Sequence, residues 1–293
     1  MPVPVGIAIA AAFAIGLAYY LANRAVYYPS KYPEGYWDTQ RATGASDAWM
    51  ETSDGVKIHG WWVHRRQDGI STPDVVPRKT PGGTQPDGGR DGPPLVTLFL
   101  HGNAGNITNR TPRIQEIIAA GSSILMLDYR GYGKSSGRPS EQGLYRDSEA
   151  GYIYLLGKGY RPEQMILHGE SLGTAVAIDL ASRRPCAALI LEAPFTSASE
   201  VAGTVVPFLG PLLVRSFNSL PKIRWIRVPK LFMQGDRDEV IPLRLGQKLF
   251  AAAQGTKTFW IVPGAGHNDI LETAGAEYRQ RLRAFYGTLL HSR

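Results

Sequence analysis

The chain has 293 residues, a length that suits one large α/β domain better than two small ones. Its formal charge of +7 comes from Lys and Arg residues that are scattered along the chain without a dense basic run. This distribution argues against nucleic-acid binding and fits a solvated surface or an anionic membrane face better. Cys186 is the only cysteine, which excludes an intrachain disulfide and a cysteine metal cluster, and we interpret it as buried packing.

The first residues, 1–24, predict a transmembrane anchor. Residues 3–22 carry no charged side chain, and a helix of that length spans about 30 Å, the hydrocarbon thickness of a bilayer. Arg24 and Lys31 follow this stretch, which by the positive-inside rule places the rest of the chain in the cytoplasm. A cleaved signal peptide is the alternative, but no basic region precedes the apolar stretch. We therefore expect a membrane protein with a single-pass N-terminal anchor.

Residues 45–293 predict one folded domain that begins with a hairpin. Side chains in residues 47–63 alternate as in half-buried antiparallel strands, and Asp54 with Gly55 supplies the turn. Residues 67–94 differ in kind, because Gly, Pro and polar residues dominate and no aromatic residue is present. Such a segment cannot bury enough apolar surface to become ordered, so we expect a flexible insertion between two strands.

Apolar runs of strand length then alternate with segments of helical spacing. The runs are residues 95–100, 124–127, 165–167, 188–191, 230–233 and 259–262. Continuous hydrophobicity is typical of strands that are covered on both faces, so the pattern predicts a mostly parallel central sheet flanked by helices. The fold class is therefore α/β.

The segment that begins at the third of these runs predicts a nucleophile elbow. The apolar residues 165–167 lead into Gly-Glu-Ser-Leu-Gly at 169–173, and an Ala-rich, helix-favouring stretch follows. This is the strand, sharp turn and helix that expose a nucleophilic serine at the carboxyl edge of a sheet. A Cβ atom at Gly169 or Gly173 would clash with the neighbouring strand or helix. Ser171 is thus the candidate nucleophile.

The base and the acid that this serine needs should follow it along the chain. In the strand-elbow fold, the order is Ser, then Asp or Glu, then His. His267 and His291 are the histidines after Ser171, and His291 lies two residues from the terminus, where fraying is expected. His267 lies in a glycine-rich loop after the last strand and is our general base. For the acid, Asp236, Asp238 and Glu239 share one loop, and the residues alone do not choose among these three.

Taken together, five ordered motifs resemble the α/β-hydrolase superfamily, and most closely its membrane-anchored Bem46 and ABHD13/ABHD17-like serine hydrolases. The motifs are residues 100–106, 128–135, 169–173, 235–240 and 266–267. The resemblance covers the chain from about residue 56 onward and includes the anchor, with the insertion at 67–94 as the main departure. It implies that Asp238 is the catalytic acid, with Asp236 as the fallback.

An oxyanion hole completes the expected site. One donor should be the backbone N–H of Leu172, directly after the nucleophile at a helix N-terminus. The other, by the resemblance, is the backbone N–H of Asn103 after His101 and Gly102. Residues 195–228 form a segment too long for a simple crossover, which we interpret as a short cap that presents apolar surface to an acyl chain or a bilayer, or that merely packs on the core.

These features predict a serine hydrolase, carboxylesterase-like or thioesterase-like, that cleaves acyl esters or thioesters of lipophilic substrates through an acyl-enzyme intermediate. Two alternatives remain open: a peptidase-like amidohydrolase on the same fold, and an inactive scaffold that binds lipid or a partner. The glycines at 131 and 133 match neither a phosphate-binding loop nor a dinucleotide fingerprint. We therefore expect no cofactor, no metal and no nucleic-acid partner.

Overall fold

The computed structural model describes residues 13, 16–18, 21, 26–65 and 95–291. The predicted transmembrane helix at 1–24 lies mostly outside these residues, and the predicted insertion at 67–94 lies entirely outside them. None of the helices in the described ranges has the length and apolar character needed to cross a bilayer.

The centre of the fold is an eight-stranded sheet with the order β10-β9-β8-β7-β4-β6-β3-β2. Strands β2 and β3 form an antiparallel hairpin, β3 pairs antiparallel with β6, and the remaining neighbours pair in parallel. A separate short parallel pair joins β1 to β5. The strands are β1 (Tyr28–Pro29), β2 (Ser46–Glu51), β3 (Lys57–Val63), β4 (Leu95–Leu100), β5 (Ala104–Gly105), β6 (Ser122–Asp128), β7 (Met165–Glu170), β8 (Ala188–Glu192), β9 (Lys230–Gly235) and β10 (Lys257–Val262).

Helices cover both faces of this sheet. The helices are α1 (Thr39–Thr43), α2 (Thr111–Ala120), α3 (Glu141–Gly157), α4 (Leu172–Arg183), α5 (Ala198–Val205), α6 (Leu209–Leu213), α7 (Leu220–Ile223), α8 (Leu243–Ala252), α9 (Ile270–Ala274) and α10 (Ala276–His291). Residues of α3, α4 and α8 share one buried cluster with one face of the strands. Residues of α2, α9 and α10 share a second cluster with the other face. The predicted mostly parallel sheet flanked by helices is thus confirmed.

The predicted strands and hairpin lie where the apolar pattern placed them, within three residues at each end. Strand β10 differs from the expectation of burial on both faces, because it forms an edge of the sheet and its exposed and buried residues alternate. The segment 195–228 contains the short helices α5, α6 and α7. Cys186 is buried, and burial raises the pKa of its thiol to about 12.

Helix α4 passes unusually close to the carboxyl end of strand β4. A Cβ atom built on Gly173, in the first turn of α4, would lie 1.8 Å from the backbone oxygen of Leu100. A Cβ atom on Gly169 would lie 2.4 Å from the backbone oxygen of Gly173. Both contacts involve backbone atoms, so no side-chain rotation could relieve them. The two glycines therefore set the separation between β7, α4 and β4.

We expect Gly173→Ala to lower the free energy of unfolding by more than about 3 kcal/mol, because the strand or the helix must move to admit the methyl group. Gly157→Ala is a matched control, since Gly157 ends helix α3 and nothing lies within 4 Å of its Cβ position. The control should leave stability unchanged or raise it by up to about 1 kcal/mol. Urea unfolding of both variants measures the difference, and equal stabilities would contradict the close crossing.

Candidate active site

Ser171 stands in a strained turn between strand β7 and helix α4. Its backbone has φ +51° and ψ −116°, a left-handed conformation that costs a residue with a Cβ atom about 1–3 kcal/mol. The turn is held from both sides: the N–H of Ser171 donates to the backbone oxygen of Glu192 at 2.8 Å, and its own backbone oxygen accepts from the hydroxyl of Thr174 at 2.6 Å. These two hydrogen bonds hold the strained backbone of Ser171 in place at the carboxyl edge of the sheet.

His267 reaches this edge from the loop after strand β10. Its Nε2 atom lies 3.0 Å from the Oγ of Ser171, and its Nδ1 atom lies 3.0 Å and 2.9 Å from the two carboxyl oxygens of Asp238. An ionised carboxylate can only accept, so the Nδ1–H donates to Asp238. This tautomer leaves the lone pair of Nε2 free to accept the hydroxyl proton of Ser171. The structure thus brings together the three side chains predicted as nucleophile, base and acid.

The carboxylates of the loop after strand β9 have different partners. Asp238 has a fully buried side chain, and its Oδ1 also accepts from the N–H groups of Val240 at 3.0 Å and Ile241 at 2.7 Å. Asp236 is exposed and accepts instead from the N–H of Gly264 at 2.7 Å. Glu239 lies 3.4 Å from the backbone nitrogen of His267. In the described structure, Asp238 alone of the three contacts the imidazole ring, and the other two contact the backbone of the histidine loop.

The two predicted oxyanion donors lie beside Ser171. Leu172 is the first residue of helix α4, where backbone N–H groups have no partner within the helix. Asn103 follows Gly102, whose Cβ position would lie 3.5 Å from the Cβ of Ser171. The N–H of neither Asn103 nor Leu172 has a hydrogen-bond partner among the residues that the structure describes. Both can therefore donate to an atom bound in front of Ser171.

A buried charged cluster, which the sequence analysis did not find, lies beneath the turn. Glu170 contacts Arg110 at 3.1 Å and Arg113 at 3.4 Å, and Arg113 also contacts Glu192 at 3.2 Å. Glu192 in turn accepts from the buried His168 at 2.7 Å and from the hydroxyl of Tyr278. Two guanidinium groups thus face two carboxylates. The sequence signal for this cluster was an acidic residue soon after each of two apolar runs: Glu170 after residues 165–167, and Glu192 after residues 188–191.

The guanidinium groups determine the protonation of this cluster. Burial by itself would raise the pKa of Glu170, but Arg110 and Arg113 outweigh it and hold that pKa well below its ordinary value. The pKa of Glu192 is lowered in the same way by Arg113 and His168, against the effect of burial. Both carboxylates are therefore ionised at neutral pH. In the described ranges, no three His, Cys, Asp or Glu side chains are grouped as metal ligands.

Comparisons with known proteins agree with this fold. A sequence-family profile described as "Serine aminopeptidase, S33" matches residues 93–225. The uncharacterized protein Rv2307c of Mycobacterium tuberculosis is 35% identical over 272 residues, which cover 92% of this chain and 88% of the relative. Alpha/beta hydrolase domain-containing protein 17B of Homo sapiens is 40% identical over 197 residues, which cover 64% of this chain and 65% of the relative.

Solved structures show the same architecture. The esterase PF2001 of Pyrococcus furiosus has a TM-score of 0.68 at 20% identity, with 90% of this chain and 98% of that chain covered. An alpha-beta hydrolase from Vibrio vulnificus has a TM-score of 0.67 at 20% identity, with 93% and 92% covered. The chain belongs to the α/β-hydrolase superfamily.

We expect the stabilising effect of Glu170 to depend on pH. Its folded pKa lies below the unfolded value of about 4.3, so the carboxylate stabilises the fold above that pH and loses this effect as the pH falls. Glu170→Gln should therefore lower the free energy of unfolding by about 3–5 kcal/mol at pH 7, and the gap should narrow from pH 5 towards pH 3.

Urea unfolding across that range measures this gap. Glu277→Gln is the control, because Glu277 pairs with Arg281 on the surface, where both side chains are nearly half exposed. Its effect should stay below about 1 kcal/mol at every pH. A gap for Glu170→Gln that stays constant as the pH falls would contradict the assigned ionisation of the cluster.

Proposed function

We propose that the chain is a serine hydrolase that cleaves acyl esters or thioesters through an acyl-enzyme intermediate. The observation that carries this proposal is the continuous hydrogen-bond chain from Ser171 through His267 to Asp238. The order and the distances of these groups are those that nucleophilic acyl transfer requires. The hydrolase family and the esterase among the solved neighbours support the same class of reaction.

In the proposed reaction, the Oγ of Ser171 attacks the acyl carbonyl carbon while the Nε2 of His267 takes the hydroxyl proton. Asp238 stabilises the imidazolium that forms. The carbonyl oxygen becomes an oxyanion and accepts from the N–H groups of Asn103 and Leu172, each worth about 3 kcal/mol. The tetrahedral intermediate expels the alcohol or thiol, which receives the proton from Nε2. Water then attacks the acyl-enzyme with His267 as the base, and Ser171 is regenerated as the carboxylic acid leaves.

The proposed substrate class is lipophilic, because the segment 195–228 presents an exposed apolar ridge. Phe208 is 89% exposed at the turn between helices α5 and α6. The ridge consists of five exposed apolar side chains, those of Val205, Val206, Phe208, Leu209 and Leu212. Contiguous apolar surface of this kind marks ligand or membrane contact. The uncharged residues 3–22 support the proposal that the chain is held at a membrane, with this ridge acting as a cap for acyl groups.

A peptidase-like amidohydrolase is the second candidate, favoured by the description of the matching family profile as a serine aminopeptidase. It would use the same nucleophile, base and oxyanion donors, but the leaving group would be an amine that needs protonation by His267. Relative turnover of matched acyl esters, thioesters and amides separates the two candidates. A non-catalytic lipid-binding or partner-binding scaffold predicts no turnover of any of them.

We expect a fluorophosphonate probe to label the full chain at Ser171 and to leave Ser171→Ala unlabelled, because the probe needs an activated serine. Asp238→Asn should lower kcat by about 10⁴-fold through loss of the required histidine tautomer. Asp236→Asn is the matched control, since the Asp236 carboxylate accepts from the backbone N–H of Gly264 in the histidine loop and does not contact the imidazole ring, and its kcat should stay within about threefold of wild type.

Labelling by mass-tagged probe and steady-state kinetics on a chromogenic short-chain ester measure these effects. Equal losses in the two Asp variants would reject Asp238 as the acid. A wild-type chain that is neither labelled nor active on esters, thioesters or amides would reject the enzymatic proposal.

We expect Phe208→Asp to raise the KM for a long-chain acyl ester by at least about tenfold and to leave a short-chain ester unaffected, because under the proposal the ridge binds the distal part of a long acyl chain, which an acetyl group lacks. Ile153→Asp is the control, because Ile153 is an exposed apolar residue on helix α3 outside the ridge. Kinetics with acetyl and palmitoyl esters of one alcohol measure the difference. Equal effects of Phe208→Asp on both esters would contradict the assignment of the ridge to acyl-chain binding.

A further inference from the structure

The loop that carries Asn103 is held by a segment of the chain that precedes the predicted hydrolase domain. Strand β1 pairs in parallel with β5, so that Tyr28 lies opposite Ala104 and Pro29 lies opposite Gly105. The N–H of Ser30 donates to the backbone oxygen of Gly105 at 3.1 Å. We call residues 26–34 the support segment.

A buried side chain extends this pairing. Asn106 is fully buried, and its Nδ2 donates to the backbone oxygens of Ser30 at 3.2 Å and Glu34 at 2.9 Å. Its Oδ1 accepts from the N–H of Thr108 at 3.1 Å, and this bond caps the 3₁₀ turn at Ile107–Arg110. One amide group therefore joins the support segment to the 3₁₀ turn that follows the loop.

Hydrogen bonds to the support segment and to Tyr132 hold the backbone carbonyl and the side chain of Asn103. Its backbone oxygen accepts from the N–H of Tyr28 at 3.0 Å and from the hydroxyl of Tyr132 at 2.7 Å. Its Nδ2 donates to the backbone oxygen of Val26 at 3.2 Å. Burial raises the pKa of Tyr132 well above its ordinary value, so this hydroxyl stays protonated and remains a donor. Among the backbone groups of Asn103, these contacts use the carbonyl oxygen and leave the N–H group free to donate.

We infer that the support segment and Tyr132 position the backbone N–H of Asn103 for the developing oxyanion, an inference that rests on the proposed function. These groups never touch the substrate and act as positioning groups through Asn103. The catalytic unit then extends to about residue 26, beyond the predicted domain start at 45. The support segment also follows the predicted anchor, so the proposed membrane attachment and the ordering of the oxyanion loop would involve adjacent parts of the chain.

Removing one hydroxyl from the full-length protein tests this inference. Tyr132→Phe deletes the bond to Asn103 and keeps the buried ring. We expect kcat to fall about tenfold, a fraction of the 10²–10³-fold loss caused by removing a whole oxyanion donor. The KM for a short-chain ester should stay within about twofold, because the ground-state carbonyl gains little from the donor. The affinity for an aryl trifluoromethyl ketone, which forms an oxyanion on Ser171, should fall by the same factor as kcat.

Tyr152→Phe is the matched control, because the hydroxyl of the buried Tyr152 also donates to a backbone oxygen, that of Pro185 at 2.8 Å. Its kcat should not change. Asn103→Ala keeps the N–H but loses the bond to Val26, so it provides a second variant with the same expected signature. Because both changes act through one residue, their combined loss in kcat should be smaller than the product of the separate losses.

The outcomes separate this inference from the proposed function. If the wild type hydrolyses esters and is labelled at Ser171, but Tyr132→Phe matches Tyr152→Phe in kcat and in inhibitor affinity, the inference is wrong and the proposed function stands. A fall in kcat with unchanged affinity for the ketone also overturns it, because the loss then has a cause other than the oxyanion. A wild type without labelling or turnover overturns both.

Discussion

The close crossing of helix α4 over the end of strand β4 is the constraint on which the site depends. Gly173 permits this crossing, because any side chain there would overlap the backbone oxygen of Leu100. The crossing places the start of α4, with the N–H of Leu172, next to the loop that follows β4 and carries Asn103. The left-handed turn at Ser171 lies two residues before Gly173, so the nucleophile and both proposed oxyanion donors lie beside one close backbone contact.

The buried charged cluster holds the strand ends on which the turn of Ser171 is built. Glu170 and Glu192 end the neighbouring strands β7 and β8, and Arg113 of helix α2 contacts both of them. Burying four charges is costly, and such clusters often add little net stability compared with apolar packing. They do fix geometry, since each member must keep its partners or be left with an unpaired buried charge. Here the fixed elements are the two strand ends that hold the turn of Ser171.

The sequence predicted the strands well, because burial on both faces leaves a continuous apolar run for each of them. It predicted Ser171 and His267 because the glycine spacing of the turn and the order along the chain are local signals. It left the acid open among Asp236, Asp238 and Glu239, since the choice depends on how one loop folds against another.

The missed features depend on contacts between distant parts of the chain and leave little local signature. The pairs between β1 and β5 involve two residues in each strand, too few for any periodicity. The partners of Glu170 and Glu192 lie 24 to 86 residues away along the chain, so only the folded chain brings them together. Strand β10 was expected from its apolar sequence to be covered on both faces. The strand lies at the edge of the sheet, so it still exposes Ile261.

The charged groups around Ser171 match the two charges that the proposed reaction creates, a positive charge on His267 and a negative charge on the substrate oxygen. The imidazolium of His267 would form beside Asp238, within a loop that Asp236 and Glu239 also contact. The oxyanion would form on the opposite side, at the N-terminus of helix α4 and the loop of Asn103. Glu170 is the residue that would oppose it, since it directly precedes Ser171. Arg110 and Arg113 neutralise that carboxylate in the resting structure. The charged groups around the proposed oxyanion would therefore need to move little when it forms.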